Sequence, residues 1–306
     1  MAKTNRQAHR IKSVRPNTRL TDYAAKIFPI LGSRTAAKKA IVAEQLLVND
    51  YPATEGDFVK KGDVLILKIR MAKKPKVKLN VDLPIVFEDD YLIVVNKPAG
   101  IAVNGNRNKT VENAVASIVK QSNQADALPS PVAVHRIDVP TKGLVLLAKT
   151  KAALIKLSKA FQNNEVQKMY WAVVHGKTPP KGHIDQAIQD KKAITDYETE
   201  KVVSSRIFKN LSLVKLYPLT GRTHQLRIHL RDEGHLIVGD KMYADRTKTI
   251  LGKGLFLCAG QLQFTHPISG EMMELEVDIP NRFQKLMQRE SERFSGDGKN
   301  KSRRRR

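Results

Sequence analysis

His135-Arg136-Ile137-Asp138-Val139-Pro140-Thr141-Lys142-Gly143, running into Leu144-Val145-Leu146-Leu147, sets one carboxylate beside one arginine where an extended segment turns. Residues 132–137 have strand composition, Pro140 and Gly143 demand a turn, and residues 144–148 resume a strand. A hairpin is predicted, with Asp138 at its rim, where a carboxylate can meet a ligand. The ordinary reading of an aspartate before a proline turn is a hydrogen bond to its own backbone. The segments on either side bear on the choice.

Downstream, Thr150 caps a helix whose Leu154, Leu157 and Phe161 recur at helical spacing, and residues 169–174 read as a strand. Further strands are predicted over 193–203, 211–216, 256–264 and 273–277, with a helix over 224–233 stopped by Gly234. Upstream, strands 85–87 and 91–95 flank an acidic turn, and Thr110 caps a helix reaching residue 119. Strands cluster instead of alternating with helices. The fold class is therefore α+β: a mixed, largely antiparallel sheet with flanking helices.

The first 70 residues have a different order: helix, helix, strand, strand. Tyr23, Ile27 and Ile30 share one face, and Ser33 caps a second helix through Ala37, Ala40 and Ile41 that leaves Arg34, Lys38 and Lys39 outside. A strand over 46–50, then a turn and another strand within 58–67, complete a small second α+β unit. The organisation read from this is a basic flexible arm (1–17), the small unit (18–70), a basic linker (71–80), the main sheet domain (81–288) and a basic flexible tail (289–306).

The chain has 306 residues, 41% of them hydrophobic, enough for one sizeable core and a smaller one. Its 54 Lys and Arg against 30 Asp and Glu give a formal charge of +24, the electrostatic footprint of a polyanion binder. Nucleic acid is the expected partner. No apolar run approaches the roughly 20 residues that span a bilayer, and no signal-peptide pattern opens the sequence, so the expected location is cytoplasmic. The single cysteine, Cys258, excludes an intrachain disulfide and a thiolate cluster for zinc.

Three segments carry concentrated polar chemistry: Arg136 with Asp138, Lys168 with Tyr170 in QKMYWAVVHG, and GRTHQLRIHL, which holds Arg222, His224, Gln225, Arg227 and His229. Arg227 lies between Leu226 and Ile228, and an arginine so placed on an apolar helix face calls for a carboxylate. Tyr170 alternates with apolar residues along a strand face, where a half-buried aromatic is the plain reading. The spacing of His224 and His229 lacks the geometry of a two-histidine metal helix, and no metal is expected.

HRIDVPTKGLVLLAK, QKMYWAVVHG and PLTGRTHQLRIHLRDEGHLIVGD occur in the order of, and resemble, the three signature blocks of the RluA-like pseudouridine synthases, which modify large-subunit ribosomal RNA and some transfer RNA. The leading segment resembles the S-four-type RNA-binding domain often fused to them. The resemblance spans roughly residues 18–280. It implies isomerisation of uridine within RNA: the base is detached from its sugar at a ring nitrogen, turned, and reattached through a ring carbon. By this resemblance Asp138 is the catalytic aspartate, acting as a nucleophile on sugar or base or as a base toward the sugar. Arg227 is the arginine paired with it, since a guanidinium neighbour favours the charged form of a carboxylate. Tyr170 stacks on the target base and assists removal of its ring-carbon proton, and Arg136 enters the space left by the extruded nucleotide. Beside these, His135, Arg222, His224, Gln225 and Lys168 are candidate substrate contacts, and Arg34, Lys38 and Lys39 candidate RNA contacts of the leading segment. No cofactor is implied. Residues 144–147 and 226–230 are expected to wall the pocket, and a monomer is expected.

A hydrolytic glycosidase would need a second acid flanking the bond, and none stands out in these blocks. His135-Arg136-Ile137-Asp138 echoes a kinase catalytic loop, but Gly143 stands where that loop needs asparagine. The alternative from another class is a nonenzymatic RNA-binding or ribosome-assembly factor built on the same domain.

Overall fold

Apolar residues at helical spacing before residue 42 and at strand spacing after residue 45 have to share one core. Leu20, Ala24, Phe28, Ile41, Leu46 and Leu65 are buried together. The computed structural model describes residues 4–70, 81–205, 207–244 and 254–303. In the first of these segments β1 (Thr4–Arg10), α1 (Leu20–Ile27), α2 (Arg34–Val42), β2 (Leu46–Val48), β3 (Tyr51–Pro52) and β4 (Val64–Arg70) form a four-stranded sheet of order β1-β4-β2-β3 with two helices. Ser33 caps α2 as predicted, its Oγ accepting from the Ala36 amide at 3.2 Å.

The expected flexible arm needs correction. Residues 4–10 are β1, paired antiparallel with β4 from Thr4↔Arg70 to Arg10↔Val64. Charge density suggested an arm, but the strand's backbone groups find partners on an otherwise open edge, and an edge strand tolerates exposed basic side chains. The linker over 71–80 lies outside the described residues.

The remaining elements are β5 (Ile85–Glu88), β6 (Leu92–Lys97), α3 (Val111–Ile118), β7 (Ala127–Ala133), β8 (Lys142–Thr150), α4 (Lys151–Gln162), β9 (Gln167–His175), β10 (Lys181–Asp185), β11 (Ile194–Ser205), β12 (Lys209–Pro218), α5 (Gln225–Asp232), β13 (Leu257–Thr265), β14 (Met272–Glu276) and α6 (Asn281–Arg303). They build a ten-stranded sheet of order β10-β11-β12-β9-β13-β8-β6-β5, with β14 beside β13 and β7 beside β8. Its strand pairs are antiparallel except β8 with β13. The α+β class stands. Thr110 and Thr150 cap α3 and α4, accepting from Asn113 and Ala153 amides.

Two local readings differ from the sequence analysis. The first arm of the central hairpin ends at Ala133, short of the predicted residue 137, and residues 134–141 are loop. The tail expected from residue 289 is helical to Arg303 as part of α6. Phe283, Leu286, Met287 and Glu290 lie at helical spacing and are buried, and Ser205 Oγ donates to Glu290 at 2.8 Å, which fastens the helix to β11. The basic end of the chain masked that apolar stripe. β10 was not predicted at all; its Lys-Gly-His-Ile-Asp sequence has one apolar residue, and it forms because β11 offers an edge.

Gly143 fixes how the Asp138 loop enters the sheet. With φ at 118°, it pairs with Ala259 where β8 first meets β13, so close that a side chain would strike the Ala259 carbonyl and amide. Gly143→Ala is therefore expected to cost about 3 kcal/mol or more, from backbone strain plus overpacking, as read from chemical denaturation. A stability loss within about 0.5 kcal/mol, the range of ordinary surface changes, would contradict the close approach.

Candidate active site

The sheet order places the ends of β9, β13, β8 and β6 side by side, and the loop before β8 hangs over them. Asp138 opens a tight turn in that loop: its carbonyl accepts from the Thr141 amide at 3.0 Å. The backbone carries this turn, so the carboxylate is not consumed by it. Val139 carbonyl accepts from the Gly100 amide at 2.8 Å and from Lys97 Nζ at 3.1 Å.

Lys97, at the end of β6, is wholly buried and also donates to Pro98 and Ile101 carbonyls at 3.0 and 2.9 Å. It clamps the loop after β6 to the loop bearing Asp138. Burial lowers its pKa to about 8, and the negative charge of Asp138 works in the opposite direction. The sequence reading missed Lys97. The signal was present, since a lysine ending the buried run of β6 needs internal acceptors.

Arg227 reaches Asp138 from α5, 89 residues further along the chain, with Nη1 donating to Oδ2 at 3.0 Å. The same guanidinium meets Asp240, Nε to Oδ2 at 2.7 Å and Nη2 to Oδ1 at 2.8 Å. Asp240 also went unnoticed in the sequence, standing eight residues past the helix in a turn. Side-chain exposure is 23% for Asp138, 5% for Arg227 and none for Asp240, so only Asp138 faces outward. Burial disfavours charge on both Arg227 and Asp240. Their mutual hydrogen bonds, with Asp138 adding to the effect on Arg227, outweigh it: the arginine pKa lies above its ordinary value and that of Asp240 below.

His224 precedes α5 in the left-handed conformation, φ 57°, and its Nε2 lies 3.7 Å from Asp138 Oδ1. Its Nδ1 is 2.8 Å from the Tyr243 hydroxyl, and the Tyr243 ring lies 5.0 Å from the Arg227 guanidinium. Half-buried Tyr170 projects from β9. Burial first, and then the negative charge of Asp138, raise its pKa, so the phenol keeps its proton at neutral pH. Lys168, two residues earlier on the same strand face, has its pKa lowered by burial.

The other sequence candidates divide. Arg136 is exposed at the rim. Arg222 is exposed too, though its Nε donates to the Lys192 carbonyl at 2.9 Å. Gln225 is not free for a substrate: it is buried, accepts from Thr220 Oγ1 and the Arg222 amide, and donates to Ile194 carbonyl and Thr195 Oγ1. His135 likewise turns inward, its Nε2 accepting from the Leu146 amide at 3.1 Å and its ring stacked on Phe161 at 4.5 Å. His229 is buried between Thr195 Oγ1 and the Gln186 carbonyl. Residues 144–147 are fully buried core, and Leu226 and Leu230 pack in the core as well, so they support the site from beneath and do not wall it. Arg34, Lys38 and Lys39 are exposed on α2; Arg34 lies 3.5 Å from Asp22 and Lys38 2.8 Å from Glu55.

A partly exposed carboxylate gripped by one guanidinium hydrogen bond, beside a protonated phenol, can act on an electrophilic carbon or accept a proton. Comparison with known proteins narrows this. The family model for RNA pseudouridylate synthase matches residues 91–232. The ribosomal large subunit pseudouridine synthase C of Rickettsia felis is 32% identical over 295 residues, covering 87% of this chain and 95% of that protein. The ribosomal large subunit pseudouridine synthase D of Neisseria meningitidis is 32% identical over 294 residues, covering 88% and 78%. Among solved structures, human RNA pseudouridylate synthase domain containing 1 superposes with a TM-score of 0.55 at 25% identity, over 65% of this chain and 84% of that one.

Burial and the nearby Lys168 charge lower the His135 pKa to about 3 from an ordinary 6.5, so the folded chain keeps this imidazole neutral while the unfolded chain protonates it. The unfolded state binds the extra proton between those values, and stability falls as pH drops through that window. The thermal-midpoint advantage of wild type over His135→Asn is expected to shrink from about pH 7 to about pH 4. A gap that stays constant across that range would rule out the neutral, accepting histidine.

Proposed function

Because this chain belongs to the RNA pseudouridylate synthase family, we propose that it converts uridine to pseudouridine in ribosomal RNA, with Asp138 as the acting carboxylate. The observation that carries the assignment of Asp138 is its approach to Arg227 across 89 residues of chain, with the acid left accessible and the base buried. The two most telling relatives are ribosomal large subunit enzymes by name, which favours ribosomal over transfer RNA. The cytoplasm is the matching location, and one copy of the chain contains every group the chemistry uses.

In the reaction the bond from the ribose to the ring nitrogen breaks, the uracil turns, and a new bond forms from the ribose to ring carbon five. One proton leaves that carbon and one is taken up at the ring nitrogen, so atoms balance without an oxidant or water. Asp138 acts at sugar or base while Arg227 compensates its charge. Tyr170, held as a phenol, lies along the target base and hands on a proton in concert with a neighbouring acceptor. The target nucleotide has to leave its stack to reach this rim, and on this reading the exposed Arg136 is the side chain that takes its place.

The small leading unit supplies a second, sequence-independent hold on RNA through the exposed face of α2. Phosphate contacts of this kind position the substrate without reading its bases. Gln225 has no part in substrate binding on this reading, because its amide oxygen and nitrogen already hold the fold.

Tritium release from RNA labelled at uracil carbon five tests the activity. Wild type is expected to release it, and Asp138→Asn to lose at least about 10³-fold in rate with RNA binding retained, as for removal of a group that acts only in the transition state. RNA binding by wild type with no release would favour the nonenzymatic assembly factor. For the leading unit, the combined changes Arg34→Gln, Lys38→Gln and Lys39→Gln are expected to reduce the slope of log affinity against log salt by about 2 to 3. An unchanged slope would remove α2 from the RNA interface.

A further inference from the structure

Lys168 is a half-buried ammonium without an acid. Among the described residues neither a hydrogen bond nor an ion pair reaches its Nζ. The two buried lysines are satisfied: Lys97 donates to three carbonyls, and Lys149 to the Glu88 carboxylate and the Asp89 carbonyl. Burial lowers the Lys168 pKa with no carboxylate opposing it, whereas Asp138 opposes the same effect at Lys97. A cation drawn from water without a partner is a cost that nothing in the fold offsets.

Strand β9 sets where that cation stands. Lys168 and Tyr170 share one face, two strand rises or about 7 Å apart. Pairing of β9 with β12 stops at Tyr170↔Leu216, while pairing with β13 runs on through Lys168↔Leu262 to Gln167↔Gln263. Beyond Tyr170, β9 therefore has a strand neighbour on one side alone. The charge of Asp138 is felt at Lys97 and Tyr170 and not at Lys168, which lies on the far side of the phenol.

His135 adds a second donor there. Its Nε2 accepts from the Leu146 amide at 3.1 Å, so the proton of the neutral ring sits on Nδ1. Stacking on Phe161, with centroids 4.5 Å apart, holds the ring plane. The Lys168 charge is near enough to help keep this imidazole neutral. Nδ1, like Lys168 Nζ, has no partner among the described residues.

We propose that Lys168 and the Nδ1–H of His135 form an anion subsite beside Tyr170, which receives a backbone phosphate of the RNA strand that carries the target uridine. This rests on the RNA substrate proposed above and names one contact within it. An ammonium and an imidazole N–H offer donors and no acceptor. The edge of a uracil presents donor and acceptor side by side, whereas a phosphodiester presents acceptors alone and the matching charge. Holding a phosphate there would set the register in which a base arrives over the Tyr170 ring, without reading the sequence.

Binding of a short oligouridylate tests this, read against the same oligomer built with uncharged methylphosphonate linkages. Lys168→Met keeps most of the side chain and removes its charge. The variant is expected to bind the phosphodiester chain about 10-fold more weakly, the scale of one charge-assisted hydrogen bond, and to lose about 0.7 from the slope of log affinity against log salt. Lys168→Arg is expected to keep the slope. On the uncharged chain, wild type and Lys168→Met are expected to bind equally. A wild-type advantage that survives on that chain would put Lys168 on the base and overturn the proposal. So would an unchanged salt slope, or a wild type that binds both chains alike. In ¹⁵N spectra the His135 Nδ1 signal is expected to move when the phosphodiester chain is added; a signal that stays put overturns the shared subsite. Removal of an unpaired charge is expected to leave the thermal midpoint unchanged or raised, and a fall would mark Lys168 as a support of the fold and overturn the proposal. Should Lys168→Met not fold, Lys168→Gln gives the same binding readings. None of them needs turnover, so a wild type that releases no tritium ends the isomerase reading while binding still decides the subsite.

Discussion

A buried guanidinium between two carboxylates is the constraint on which the site depends. Taking a charge out of water costs several kcal/mol even after relaxation, so Arg227 is tolerable in the interior only with its hydrogen bonds made. Asp240 makes two of them in full burial, and Asp138 makes one at the surface. The interior pair is internally neutral. Asp138 is then the excess negative charge, placed where solvent and substrate reach it. One arginine thus serves as a structural ion deep in the fold and as a functional one at its rim.

The sheet sets where that charge emerges. In the order β9-β13-β8-β6, four adjacent strands bring together Tyr170, the loop of Asp138 and the end of β6 at Lys97. Lys97 spends its ammonium on three backbone carbonyls, locking two loops that share no secondary structure. Gly143 admits the close contact with β13 that starts the parallel pairing. Rigid strand ends with a clamped loop above them are a good mount for a single reacting carboxylate, because small displacements are costly in rate.

Polar residues in a motif divide by where their hydrogen bonds go. His135 and Gln225 stand in polar stretches of the chain; Gln225 is consumed internally, bridging β11 to the start of α5, and His135 commits Nε2 to a β8 amide. His224 differs: its left-handed backbone at the helix start and its approach to Asp138 keep it at the rim. Strained positions at helix ends are where function is often carried, and the surrounding contacts of Tyr243 hold this one.

Much was legible in the residues alone. Threonine and serine caps marked three helices, clustered apolar strands marked an α+β sheet protein, and an arginine flanked by leucine and isoleucine announced a buried charge in need of an acid. Local patterns decide such things, because caps, turns and amphipathic faces act within a few residues. Sequence chemistry also identified Asp138 and Arg227 as candidates through the three blocks. Tertiary structure alone decided that Asp240 shares the arginine, that Lys97 pins the loop, that residues 4–10 complete a sheet and that the basic end continues a docked helix. Each of these depends on partners far away in the chain, and the energy of a buried hydrogen bond or ion pair is set by the partner and by the exclusion of water, neither of which a linear sequence contains.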